Sequence, residues 1–398
     1  MYDICIIGGG ASGLAAAVTA ARISPEVSIC ILEKKDALGK KIYATGNGRC
    51  NLSNESCDSM PQILDFFASM GIITVSDRQG RIYPASGHAA DIVKAFEKSL
   101  FCCHADIMVN HTAEKISYRD GTFYVRSSGR TFEAGRLLIA AGGKAGPQYG
   151  TTGDGYTFAR QMGHSVSRIF PALTALECQG DFTFLKGARA SVLASLSRKD
   201  GIVSQEKGEV QFTEDGLSGI CIFDLSRFVD LYDGGGVLDF RDYHVSLDFM
   251  PSSASEEIME NLMERRSLQG FSAGDMLLSF VNPLIAADII KKAGIRPDDD
   301  IADISDRQIR KLTELLKNWE TAVTGAKGWK KAQCTAGGVA AEEVDQETME
   351  SKLIRNLYFA GEVLDYDGPC GGFNLNHAWE TGIRAGRAMS GAEIVQDT

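Results

Sequence analysis

Gly8-Gly9-Gly10-Ala11-Ser12-Gly13 follows directly on the apolar run Ile4–Ile7 and precedes an alanine-rich, breaker-free segment, Leu14–Arg22. The run reads as a buried parallel strand, the segment as a close-packed helix, and the glycines as the turn between them. Gly8, Gly10 and Gly13 then form G-x-G-x-x-G in strand-turn-helix context. In such a turn Gly8 permits the tight reversal. Gly10 lets a pyrophosphate approach the backbone, and Gly13 lets the helix pack on the strand. Ala11 and Ser12 open the helix, whose N-terminal N–H groups and partial positive charge suit phosphate. After Pro25 a second apolar strand, Val27–Leu32, ends at Glu33, 20 residues beyond Gly13. A carboxylate there can accept both hydroxyls of a ribose. Lys34 follows it and joins the candidate binding residues.

This unit alone serves NAD or FAD. Three later segments point to FAD. Leu137-Leu138-Ile139-Ala140-Ala141-Gly142-Gly143 is an apolar strand running into small residues, and Ala141, Gly142 and Gly143 fit beside the first turn. Leu357-Tyr358-Phe359-Ala360-Gly361-Glu362 is a late strand whose Gly361-Glu362 end suits the ribityl and pyrophosphate region. Gly371-Gly372-Phe373-Asn374-Leu375 opens the last helix. The N-terminus of that helix, at Gly372 to Leu375, would favour negative charge on a reduced flavin by about 0.3–2 kcal/mol.

Outward from these motifs the chain has 398 residues, 44% hydrophobic and 23% charged, enough for several packed domains. Net charge is −11, which argues against nucleic acid or an anionic membrane as partner. Ten cysteines are scattered with no Cys-x-x-Cys pair, as in a reduced cytoplasmic protein without a disulfide framework or metal site. No signal peptide or membrane span is visible. Helical spacing covers Pro61–Met70 and Ala89–Leu100, with strands at Ile107–Asn110, Phe123–Arg126 and Arg136–Ala140. Short strands broken by turns, such as Val210–Thr213 and Val245–Phe249, suggest a small barrel between about 166 and 250. Helices follow to about Trp319, the last opened by a capping box of Ser305 and Gln308 over Arg307–Trp319. The chain is strand-like again at Gly337-Gly338-Val339 and ends in a helix over Leu375–Met389.

The run Gly39-Lys40-Lys41-Ile42-Tyr43-Ala44-Thr45-Gly46-Asn47-Gly48-Arg49-Cys50-Asn51-Leu52-Ser53-Asn54 closely resembles a signature of the BaiN-like, or aminoacetone-oxidase-like, flavoproteins. So do Thr151–Tyr156, Gly337–Val339, Thr348–Lys352 and Leu357–Asn376. The resemblance spans nearly the whole chain. It implies an α/β fold: a Rossmann-like FAD-binding domain of the glutathione-reductase type, interrupted by an inserted β-barrel domain and a small helical domain. The expected spans are 1–165 and 343–398 for FAD, 166–250 and 323–342 for the barrel, and 251–322 for the helices. The resemblance further implies that the loop Lys40–Asn51 wraps the cofactor, with Gly46, Asn47, Cys50 and Asn51 in contact and Lys41 and Arg49 near phosphate. By motif position, Ala113 would offer its backbone to the adenine. One departure stands out: the family has Gln-Trp-Ala-Trp where this chain has Asn376-His377-Ala378-Trp379. His377 is thereby a candidate proton donor or substrate contact, and Tyr149 a candidate for the substrate cleft.

The expected activity is hydride transfer between flavin N5 and a small organic substrate held in a cleft beside the inserted domains. No second G-x-G-x-x-G is present, so NAD(P)H would act as a transient co-substrate, as in an ene-reductase. The alternatives are an amine oxidase using oxygen and a flavin-dependent RNA-modifying or RNA-binding protein.

Overall fold

The computed structural model describes residues 1–199, 201–229, 240 and 242–391. These form two compact units: Met1–Ala172 together with the chain from Ala332, and Leu173–Lys331. Residues 200, 230–239 and 241 of the expected first barrel span, and 392–398 of the expected C-terminal span, lie outside the described residues.

The first unit is built on a parallel sheet. Its strands lie in the order Asp106–Met108, Ile29–Leu32, Tyr2–Ile7, Arg130–Ile139 and Leu357–Phe359. Ile4, Cys5 and Ile6 are fully buried, as a strand covered on both faces requires. The long strand Arg130–Ile139 pairs differently along its length. Its second half lies in the parallel sheet, while its first half closes an antiparallel meander with Thr122–Ser127 and Ala113–Arg119.

The first helix, Ala11–Ile23, and the last, Phe373–Met389, pack closely. A Cβ on Gly382 would collide with the carbonyl of Ser12, and one on Gly386 with that of Ala16. Both pairs are spaced i, i+4, so one face of each helix is shaved to let the backbones approach. Trp379 anchors the last helix from its other side. Its indole donates to the Leu52 carbonyl at 3.1 Å and stacks on Phe96 at 5.6 Å. The helix begins two residues before the expected Leu375, at Phe373, because Gly372 at φ 108° makes the turn into it.

The second unit contains a closed six-stranded barrel, in the order Leu176–Cys178, Gly216–Ser218, Gly201–Phe212, Arg189–Arg198, His244–Asp248 and Trp319–Ala326. Helices Ser255–Arg265, Pro283–Lys292 and Asp306–Lys317 belong to the same unit. The Ser305–Gln308 capping box is formed, with the Ser305 N–H donating to Gln308 Oε1 at 3.0 Å. The helix it opens stops at Lys317, short of the expected Trp319. Asn318 leaves helical geometry at φ −150°, and from Trp319 burial alternates with the period of a strand. Trp319 is barrel core, packed edge-on to Phe212 at 5.4 Å. The strand expected at Gly337–Val339 lies at Cys334–Ala336 instead, since Gly337 at φ 80° ends it.

Candidate active site

A cleft of about 1220 Å³, mouth included, opens in the first unit at the carboxyl ends of its parallel strands. Ligands of open α/β sheets bind at this edge.

The glycine turn forms its floor. Gly8, Gly10, Ala11 and Ser12 line it. Gly8, at φ 109°, has no room for a Cβ against the Ala140 carbonyl. A Cβ on Gly10, by contrast, would meet nothing within 4 Å. Gly10 is also the N-cap of the first helix and supplies no capping side chain, so the helix's first N–H groups stay available. An open glycine before an uncapped helix N-terminus is a cradle for phosphate. Gly13 lies behind the floor, where a Cβ would collide with the Gly8 carbonyl; its part is packing.

Glu33 and Glu362 follow strands on opposite sides of the first strand: Ile29–Leu32 is its direct neighbour, and Leu357–Phe359 lies one place beyond Arg130–Ile139 on the other side. Glu33 Oε2 accepts from the Gly9 N–H at 2.9 Å and Oε1 from the Lys35 N–H at 2.7 Å. Ala113 lines the cleft with His111, whose backbone N–H donates to the Glu33 carbonyl at 2.9 Å. Across the turn, Glu362 Oε2 accepts from Lys41 Nζ at 2.6 Å and Oε1 from the Thr335 N–H at 2.9 Å. Thr335 in turn accepts from the N–H groups of Lys144 and Ala145 at 2.8 and 3.0 Å, fixing the bend after Gly143.

Lys34, Lys41, Ala141, Gly142, Asn374 and Leu375 also line the cleft. The lysines are paired within the protein: Lys41 with Glu362, and Lys34 with Asp154 and with Thr152 at 2.6 Å. The remaining expected residues stand outside the lining. Gly143 packs against Thr335 and Glu362, Gly361 against Ser12, and Gly372 against the Ser53 carbonyl. Phe373 lies against Gly368. The loop Lys40–Asn51 presents Lys40, Lys41, Ile42 and Thr45 to the cleft, while its second half turns away. Arg49 lies over the Tyr83 ring at 4.2 Å and donates to the Tyr83 hydroxyl at 3.3 Å. Gly46 and Asn47 make the left-handed reversal, at φ 56° and 55°, and Gly46 packs on Asn51. Cys50 is buried, and desolvation pushes its thiol up to about 12, which makes it a packing residue and a poor nucleophile.

Tyr149, Tyr366 and His377 complete the wall. The His377 ring stacks on Tyr366 at 4.0 Å and 18°. Burial, aided by Arg384, lowers its pKa to about 4, so the ring is neutral at physiological pH. Behind the lining, Tyr156 donates to the Glu362 carbonyl at 3.2 Å, and burial raises its phenol well above the ordinary range. Gly9, Tyr366 and Thr335 were not among the residues expected from the sequence. Gly9 sits inside the motif, but only the fold brings its N–H to Glu33. Tyr366 and Thr335 carry no local signal.

The residues present fit a dinucleotide. A carboxylate suited to a ribose stands on one side of the phosphate cradle, and a polar-edged recess bounded by Glu362, Tyr366 and His377 on the other.

Comparison with known proteins agrees. A family model described as the HI0933-like protein Rossmann domain matches residues 59–388, and one described as an NAD(P)-binding Rossmann-like domain matches residues 6–65. A 3-dehydro-bile acid delta(4,6)-reductase of Clostridium scindens is 35% identical over 98% of this chain and 99% of its own length. A ribosomal RNA dihydrouridine synthase of Haemophilus influenzae is 26% identical over 97% of this chain and 98% of its own. Among solved structures, 3-ketosteroid delta1-dehydrogenase of Sterolibacterium denitrificans is similar in fold, with a TM-score of 0.50, 10% identity, and coverage of 98% of this chain and 99% of that one.

Proposed function

The chain belongs to the HI0933-like, BaiN-like family and is an FAD-dependent oxidoreductase of the reductase or dehydrogenase kind; from that premise we propose that it reduces an activated carbon–carbon double bond of a small organic substrate, with NAD(P)H as donor. The observation that supports this most is the joint placement of Glu33, the open Gly10 cradle and Glu362 along one cleft, within a chain 35% identical to a delta(4,6)-reductase. Bound FAD supplies a hydride acceptor and donor at the isoalloxazine ring.

The chain's own residues bind, orient and seal. Glu33, fixed by two backbone N–H groups, keeps one lone pair on each oxygen for the ribose hydroxyls. The uncapped N-terminus of the first helix faces the pyrophosphate through Gly10, Ala11 and Ser12. With Lys34 and Lys41 already paired, phosphate charge falls mainly to these N–H groups. Ala113, Ala141 and Gly142 line the cleft; Ala113 would meet the adenine, and Ala141 and Gly142 would flank the pyrophosphate. Glu362, held by Lys41 and Thr335, presents its carboxylate edge to the ribityl chain. Asn374 and Leu375, in the first turn of the last helix, add a partial positive charge where a reduced ring carries negative charge. In this reading Gly46, Asn47, Arg49, Cys50 and Asn51 shape the loop from behind, and Gly143, Gly361, Gly372 and Phe373 set backbone approaches.

The test is anaerobic: NADPH or NADH oxidation by the FAD-loaded protein in the presence of conjugated unsaturated ketones. Saturated product with stoichiometric nicotinamide oxidation is expected. Oxygen-dependent turnover of a primary amine without any nicotinamide would replace this reading with an amine oxidase.

A second reading is favoured by the dihydrouridine synthase relative, whose product is also a base with two added hydrogens. The net charge of −11 weighs against an RNA substrate, since phosphate neutralisation needs a basic face. Formation of dihydrouridine in ribosomal RNA by the purified protein with NADPH would favour that reading. We also place the protein in the cytoplasm, on its ten free thiols.

A further inference from the structure

The strand Cys334–Ala336 runs antiparallel to Phe170–Ala172, and its central residue, Thr335, is fully buried. The Thr335 hydroxyl accepts from two successive backbone N–H groups, Lys144 at 2.8 Å and Ala145 at 3.0 Å. A hydroxyl has two lone pairs and one proton, so both acceptor sites are filled and the proton must be donated. It goes to the Tyr156 hydroxyl, which hydrogen-bonds the Thr335 side chain. Tyr156, itself buried, directs its own proton to the Glu362 carbonyl at 3.2 Å. The backbone N–H of Thr335 closes the circuit by donating to Glu362 Oε1 at 2.9 Å. A buried network satisfied in this way is rigid.

The circuit stands behind the cleft wall. A Cβ on Gly143 would lie 2.4 Å from Thr335 Oγ1 and 2.8 Å from Glu362 Oε1, so the bend is pressed against hydroxyl and carboxylate alike. Beyond the bend, Tyr149, Gly150 and Thr151 line the cleft, as does Glu362. Their loop is tied back to the bend by Thr151 Oγ1, which donates to the Ala145 carbonyl at 2.5 Å, and by the Gly153 N–H, which donates to the Gly143 carbonyl at 3.1 Å. Thr335 thus fixes two cleft-lining segments from one buried point. Glu362 follows the strand Leu357–Phe359, on the side of the first strand away from Glu33. With the adenosine ribose of FAD at Glu33, the flavin half falls to the Glu362 side. This rests on FAD occupying the cleft. We propose that Thr335 is a positioning residue for FAD: its hydroxyl and its N–H together hold the Glu362 carboxylate and the Tyr149 loop at the spacing the flavin half needs. The carboxylate is a fixed negative charge beside a ring that gains negative charge on reduction. Displacing it therefore changes the flavin's potential as well as its affinity.

The test compares full-length protein carrying Thr335→Val, which keeps the shape and removes the hydroxyl, Thr335→Ser, which keeps the hydroxyl, and Tyr156→Phe, which removes the next link. The readouts are the FAD dissociation constant, the midpoint potential and visible spectrum of the bound flavin, and amide exchange at Lys144 and Ala145 in FAD-free protein. Thr335→Val should weaken FAD binding roughly tenfold, as expected from leaving buried N–H groups unpaired, shift potential and spectrum, and speed the exchange. Thr335→Ser should restore most of each, and Tyr156→Phe should show part of the loss. Wild-type affinity, potential and spectrum in Thr335→Val overturn the assignment, even with faster exchange, since the residue would then only brace the fold. Should that variant fail to fold, the same wild-type values in Tyr156→Phe overturn it. Thr335→Ser as impaired as Thr335→Val also overturns it, by giving the role to the methyl group. Wild-type protein that holds no FAD overturns the FAD reading instead, and the exchange rates still test the circuit.

Discussion

The Glu33 carboxylate accepts a hydrogen bond from the Gly9 N–H at 2.9 Å, tying the end of the second strand to the middle of the glycine turn. The carboxylate proposed to hold the ribose would therefore also fix the loop proposed to cradle the pyrophosphate. Removing it should do two things together. Hydrogen bonds to charged groups contribute about 1.5–3 kcal/mol, so Glu33→Ala should raise the FAD dissociation constant by roughly ten- to a hundredfold. Fluorescence titration of the FAD-free protein reads this directly, and unchanged affinity would refute the role given to Glu33.

Two glycines three residues apart should behave in opposite ways. Gly10 has open space where a Cβ would stand, while Gly13 has the Gly8 carbonyl. Gly10→Ala should leave the thermal stability of FAD-free protein nearly unchanged but lower FAD occupancy, since the added methyl would stand in the open space proposed for the phosphate. Gly13→Ala should destabilise the fold by about 1–3 kcal/mol, the usual cost of overpacking, with or without cofactor. Melting curves with and without FAD separate the two. Equal loss of stability in both variants would contradict this division.

A second packing test lies in the helix pair. Gly386 approaches Ala16 so closely that a Cβ would strike its carbonyl. Gly386→Val should cost about 3 kcal/mol or more, measured by urea denaturation, because both helices would have to separate. A variant of wild-type stability would show that the contact is looser than described.

His377 gives the stability a pH dependence of known sign. Its native pKa is lowered to about 4, below the ordinary value of about 6.5. Between these values the unfolded chain binds a proton that the native state refuses. Stability should therefore fall as pH drops from about 6.5 towards 4, with a limit of the order of 3 kcal/mol from this residue, and the term vanishes above about 6.5. His164, buried and also lowered, acts in the same direction. Urea midpoints across this range should show a shallower decline for His377→Phe than for the parent protein. Parallel curves would contradict a buried neutral imidazole.

How far the sequence could be read follows from the range of the interactions. The turn Gly8–Gly13 and Glu33 lie within one strand-helix-strand unit, so their spacing carries the geometry. The loop from Lys40 to Asn51 is different. Its motif suggests that the whole loop faces the cofactor, but only its first half lines the cleft. Arg49 is diverted onto Tyr83, a contact 34 residues away that no local pattern announces. Thr335 grips the bend after Gly143 across 191 residues, and is legible only once the chain has folded. Trp319 continues the apolar spacing of the preceding helix, and only the geometry of Asn318 makes it a barrel strand. His377 was visible as a departure from a family pattern, but its unpaired Nε2 belongs to the structure.

The account's central claim is that the cleft holds FAD and that a nicotinamide reduces it. Anaerobic stopped-flow mixing of the FAD-loaded protein with NADPH, and separately with NADH, tests it most directly. Rapid loss of the flavin's visible absorption band with at least one of them is the predicted result. A protein that stays colourless after incubation with FAD, or a flavin that neither nicotinamide bleaches, would contradict it.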